Sequence, residues 1–155
     1  MRSQRGVGYV GLLLLVALLA IFAGAAADVY LQARQRSREN ELLWIGEQFR
    51  RAIRSYHDAG PGGSKVYPQR LEDLLRDPRF PGVRRHLRRI YPDPMTGRPD
   101  WEPILAPQGG IVGVRSRSLE RPLKQDGFRP RDAGFEGATR YSDWEFSVLP
   151  VAKKS

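Results

Sequence analysis

The chain has 155 residues, no Cys, 26 Lys and Arg against 17 Asp and Glu, and a formal charge of +9. Once the apolar N-terminal stretch is set aside, that length leaves one small domain, and the lack of Cys excludes a disulfide framework and thiolate metal sites. The excess of basic residues suits an acidic partner, a lipid head group or nucleic acid, while three Trp, six Tyr and six Phe argue for a packed core despite 12 Pro and 16 Gly.

The first element is "VGYVGLLLLVALLAIFAGAAA", Val7 to Ala27, which carries no charge and is bracketed by Arg5 and Asp28. Its length matches the ~20 residues a helix needs to cross a hydrocarbon core. It exceeds the roughly 7 to 15 apolar residues of a secretory signal. The small-residue stretch ahead of Asp28 leaves cleavage after Ala27, releasing a secreted basic binding protein, as an alternative. Arg2 and Arg5 hold the N-terminus on the cytoplasmic side, so the remainder is expected across the membrane.

The periodicity continues past the apolar run. Leu42, Ile45, Phe49, Ala52, Ile53 and Tyr56 recur at helical spacing, and no Pro occurs before Pro61. The spacing predicts one helix from Val7 to Asp58, about 78 Å long at 1.5 Å per residue, and "AGPGG" ends it. Its outer half, 28–58, has a single apolar stripe. Pro68, Leu71, Leu74 and Leu75 suggest a short helix stopped by Pro78. "PGVRRHLRRI" suggests another over Val83–Ile90, with Val83, Leu87 and Ile90 inward. "WEPIL" and "GIVGVRSRS" read as a hairpin joined through "APQGG". "RYSDWEFSVL", Arg140 to Leu149, reads as a third strand with Trp144, Phe146 and Val148 on one face. A long turn-rich loop precedes that strand, and the tail 150–155 reads as disordered. The fold class expected is α+β, a long N-terminal helix with a small antiparallel sheet packed on its outer half.

The N-terminal "RGVGYVGLLLLVALLAI" resembles the type IV pilin and pseudopilin leader and helix, with Gly6 at the family's cleavage glycine and Leu12–Leu13 at its paired leucines. "YPQRLEDLL" and "YPDPMTGRPDW" resemble the Tyr-Pro-x-x-Leu-x-x-Leu and Leu-Pro-x-Asp-Pro-Trp-Gly-x-Pro-Tyr segments of the major pseudopilin of type II secretion, in the same order. "ELLWIGEQFRRAI" and "LEDLLRDPRFPGVRRHLRRIYPDPMTG" look typical of a divergent subgroup of that family. The resemblance implies a cytoplasmic leader, 1–6, removed by a prepilin peptidase between Gly6 and Val7, with methylation of the new amine. It implies a single-pass protein of the bacterial inner membrane with a periplasmic globular domain, 59–149. It implies other pseudopilins and inner-membrane secretion components as partners, and no enzymatic activity. Subunits would bundle through the apolar helix, where Gly24, Ala25, Ala26 and Ala27 permit close approach. A minor type IV pilin with an adhesive or DNA-binding role is the neighbouring alternative.

The sequence departs from the family at Gly11, where the family has Glu. That carboxylate is thought to pair with a neighbouring subunit's terminal amine, and a charge in such a core needs a partner. Gly11 supplies none, which fits a tip position, sparse incorporation or an unprocessed leader.

Arg84, Arg85, Arg88 and Arg89 around His86 form the densest charge cluster. They are a candidate partner-binding patch, set against the plainer reading of a solvated face. The run lacks the interleaved aromatics that a nucleic-acid site stacks on. His57 and His86 have no metal-ligand spacing. The family resemblance brings calcium to mind at the late carboxylates Asp126, Asp132, Glu136 and Asp143, but Arg129, Arg131 and Arg140 compete for them, and no metal or cofactor is expected. No GxSxG, P-loop or GxGxxG motif appears.

Overall fold

The computed structural model describes residues 4–150, with side chains from 8 to 22 and from 29 onward. The chain forms two units, Met1–Ser37 and Arg38–Ser155. One helix, α1 (Gln4–Asp58), contributes to both. It is unbroken because no Pro interrupts it. It ends where Gly60 and Pro61 remove helix propensity and Gly62 and Gly63 turn to positive φ.

In the first unit the side chains from 8 to 22 are exposed on every side of the helix. Among the described residues no helix is long and apolar enough to cross a membrane. The described apolar run is 15 residues, 8 to 22. Val7 and positions 23–27 of the predicted span lie outside the described side chains, as does the tail from 151.

In the second unit α1 lays its apolar stripe against a small sheet. Leu42, Ile45, Phe49, Ala52, Ile53 and Tyr56 are buried and join Leu74, Trp101, Val114, Tyr141, Trp144 and Phe146 in one core. The sheet is antiparallel in the order β1 (Glu102–Leu105), β2 (Ile111–Arg115), β3 (Phe146–Ser147). Glu102 pairs with Arg115, and Val114 with Phe146. The β1–β2 turn is closed by Gly109 N–H donating to the Ala106 carbonyl at 2.9 Å. Gly109 (φ 91°) and Gly110 (φ 85°) adopt backbone angles that L side chains resist. Gly46 lets the sheet approach the helix. A Cβ there would sit 2.1 Å from Phe146 Cδ1.

Three local expectations are corrected. The segment Val83–Ile90 is not a helix. Leu87 is buried, but Val83 is 69% exposed. The Leu74 carbonyl accepts from both His86 N–H and Leu87 N–H at 2.9 Å, which fixes the segment as an irregular strap. Stacking Arg84 on Arg88 and Arg85 on Arg89 at i, i+4 would also have opposed a helix. The third strand shrinks to two residues, because Asp143 Oδ2 reaches back to the Arg140 N–H (3.0 Å) and winds 141–143 into a 3-10 turn. The short helix near Pro68 is a 3-10 turn over Leu71–Leu74. Pro68 lies outside it and offers its carbonyl to Ile111 N–H at 2.7 Å.

Candidate assembly helix and basic surface

Over 8–22 the N-terminal part of α1 is an apolar rod whose described side chains are all exposed. Tyr9, Leu14, Ile21 and Phe22 are each more than 60% exposed, and water tolerates so continuous an apolar surface poorly. Gly11 lies inside this run with nothing within 4 Å of where a Cβ would be. The first acidic residue of the chain is Asp28, so no carboxylate in the run offers a counter-charge to an amine. The side chains of Gly6 and Val7, the expected cleavage pair, lie outside those described.

The outer part of α1 carries polar side chains that clasp the loops. Glu39 is buried in phase with the apolar stripe. Its Oε1 accepts from Leu123 N–H (2.6 Å), Lys124 N–H (3.1 Å) and Tyr141 O–H (2.9 Å). Arg38 donates to the Pro94 carbonyl at 2.7 Å and the Met95 carbonyl at 2.6 Å, pinning the "YPDPMTG" turn. Inside that turn Asp93 is fully buried. Met95 N–H and the Ser116 hydroxyl donate to its carboxyl. Burial pushes its pKa up against those bonds. Arg50 makes a buried ion pair with Asp132 at 2.5 Å, which ties the late loop to the helix a second time.

A third clasp centres on Asp77. Arg79 donates to it through Nε (2.8 Å) and Nη2 (2.6 Å), and to the Tyr56 carbonyl at 2.6 Å. The Arg79 side chain holds Asp77 down at about 2, against the opposing effect of burial. On its other side Asp77 Oδ2 lies 3.2 Å from His86 Nε2, and His86 Nδ1 lies 2.8 Å from Ser55 Oγ. The order Ser–His–Asp evokes a hydrolase, but Arg79 already neutralises the carboxylate that would have to support an imidazolium. The trio staples the strap to the helix.

The four arginines of the predicted patch are all exposed, on either side of the anchored His86 and Leu87. His57 is separate from them, stacked on Tyr67 at the end of α1. The late carboxylates do not converge. Asp132 pairs with Arg50, Asp143 caps a turn, and Asp126 and Glu136 are exposed. Among the described residues no group of three or more His, Cys, Asp or Glu side chains is arranged to hold a metal ion.

Of the clasping residues, Asp132 and His86 stand out in the sequence for other reasons, and the rest do not. Glu39 had a readable signal, because it falls three residues before Leu42, on the apolar stripe itself. Arg50 likewise falls between the core positions Phe49 and Ile53. Asp77, Arg79 and Ser55 carried none, since their partners are brought by the fold. Compared with family models, with curated proteins and with solved structures, the chain finds no match.

Proposed function

We propose that this chain is a structural pseudopilin-like subunit of a type II protein secretion system, assembling through its N-terminal apolar helix. In this reading the helix from residue 7 is retained in the bacterial inner membrane, the domain from Arg38 onward is periplasmic, and the partners are other pseudopilins and inner-membrane secretion components. The observation that carries it is the single helix α1, which presents bare apolar side chains over 8–22 and then becomes one wall of a small α+β domain. A helix with apolar residues all round needs lipid or other helices, and helix packing in lipid drives such bundling. Of the motifs that resemble the major pseudopilin, "YPDPMTGRPDW" is pinned to α1 by Arg38, and "YPQRLEDLL" places Leu74 in the core shared with α1.

Gly11 bears on where the subunit sits. With no carboxylate in the apolar run, it cannot supply the counter-charge that would let identical copies stack through terminal amines. Incorporation beside a carboxylate-bearing pseudopilin is therefore favoured over a filament of this chain alone.

The lack of native Cys makes a clean test. Leu15→Cys in the full chain, expressed with the neighbouring secretion components, is expected to form cross-links in the membrane to a second pilin-like helix. Cross-links absent at Leu15→Cys, Leu19→Cys and Phe22→Cys alike would refute bundling through this segment.

A further inference from the structure

We propose that the strap from Pro81 to Tyr91 is a rigid docking face for an acidic protein surface. This inference stands apart from the assembly reading, since it needs only the domain from Arg38 onward.

Three observations carry it. First, the strap is fixed. Asp77 N–H donates to the Arg84 carbonyl, and both His86 N–H and Leu87 N–H donate to the Leu74 carbonyl, each at 2.9 Å. The His86 ring is held between Asp77 and Ser55, and Leu87 is buried in the core. A face already ordered loses little entropy when a partner arrives.

Second, its charges are unspent. Arg50, Arg79, Arg115 and Arg131 each meet a carboxylate within 4 Å. Among the described residues Arg84, Arg85, Arg88 and Arg89 form no such pair, although they lie within six positions. Two of them are steered by aromatic rings, Arg84 over Phe80 at 4.6 Å and Arg89 over Tyr91 at 5.0 Å. Stacking on a face leaves the guanidinium edge free for bidentate bonds to carboxylates.

Third, Val83 stands exposed next to Arg84 in the chain, so the face offers an apolar contact beside its basic residues. That composition suits a protein surface with an apolar spot among acidic residues.

The same features disfavour two other anions. Phe80 and Tyr91 are covered by the arginines, and Tyr91 also packs edge-on to Trp44, so they offer no platform for bases. Four charges also fall short of the ~6–10 phosphate contacts typical of duplex binding. Among the described residues of the strap only Val83 is an exposed large apolar side chain, which falls short of the apolar face that a lipid-bound basic segment buries.

The test uses the full chain in detergent micelles and three probes: a glutamate-rich peptide carrying one leucine, a short DNA duplex, and vesicles containing an anionic lipid. Each is titrated against the native chain, R85E/R88E, and a control of equal charge change, R117E/R129E. All four substituted positions are exposed. The expected result is that R85E/R88E weakens peptide binding by roughly tenfold, two exposed pairs lost and two repulsions gained, while R117E/R129E changes it by less than about twofold. Should R85E/R88E prove poorly folded, R85Q/R88Q is expected to give about a threefold loss. Equal losses in both double variants would reduce the effect to net charge and overturn the proposal. So would absence of peptide binding, or tighter binding of the duplex or the vesicles through the same arginines.

Discussion

Replacing Gly46 by Ala puts the contact between helix and sheet to a direct test. In an exposed helix the change would stabilise by ~1 kcal/mol, because Gly costs about that much in a helix interior. Here the new methyl would lie 2.1 to 2.4 Å from three atoms of the Phe146 ring. That ring is fully buried and has Phe135 edge-on at 5.1 Å. The ring has no free side to move into, so either it leaves its rotamer or β3 lifts from the helix. Overpacking of this kind costs ~1–3 kcal/mol. The clash is severe enough to place Gly46→Ala at the upper end, so a net loss of ~1–2 kcal/mol remains after the propensity gain. For a domain of this size that corresponds to a melting temperature lower by roughly 5–10 °C. Near-ultraviolet circular dichroism of the full chain in detergent reads it through the Trp and Tyr signals. Adding Phe146→Leu removes the clashing ring, so the double variant should lose less than the sum of the single losses, by ~1 kcal/mol or more. If Gly46→Ala were as stable as the native chain or more so, Phe146 would not be seated on α1, and the packing described here would be wrong.

Three further outcomes follow. Glu39→Ala removes the acceptor for two backbone N–H groups in the loop after Pro122 and should cost ~2–3 kcal/mol, with amide exchange at Leu123 and Lys124 rising by tenfold or more; unchanged exchange there would refute the clasp. The depressed pKa of Asp77, about 2 against 3.8, means that its contribution of ~2 kcal/mol is present above pH 3.8 and is lost as pH falls toward 2. Asp77→Asn should therefore lower stability at neutral pH and flatten the acid limb of the stability curve, and an acid limb as steep as the native one would contradict the pairing with Arg79. Ser116→Ala removes the hydroxyl donor to buried Asp93 and should raise that carboxyl's pKa further, moving its titration to higher pH as followed by NMR; a shift to lower pH would show that the bond is not made.

The long helix was legible because nothing in the sequence interrupts it and because Leu42 to Tyr56 keep one phase. The hairpin was legible from its change of period and its Gly-Gly turn. The strap was not. Val83, Leu87 and Ile90 have spacing that mimics a helix face, and what holds the segment in its irregular path is the carbonyl of Leu74 and the carboxyl of Asp77, both brought by the fold. The last strand was overestimated because alternation over Arg140–Leu149 cannot register that Asp143 prefers to bond its own backbone. The basic patch was visible as composition, but the anchoring of its strap through His86 and Leu87, and the seating of Arg84 on Phe80 and Arg89 on Tyr91, appear only in three dimensions. Nothing in the sequence marks Gly46, and only the position of Phe146 gives it a reason.

The central claim, that the apolar N-terminal helix is kept and used for assembly, is tested most directly by the intact mass of the mature protein recovered from membranes. The account predicts a chain beginning at Val7 with a methylated amine. A soluble chain beginning at Asp28 would contradict it.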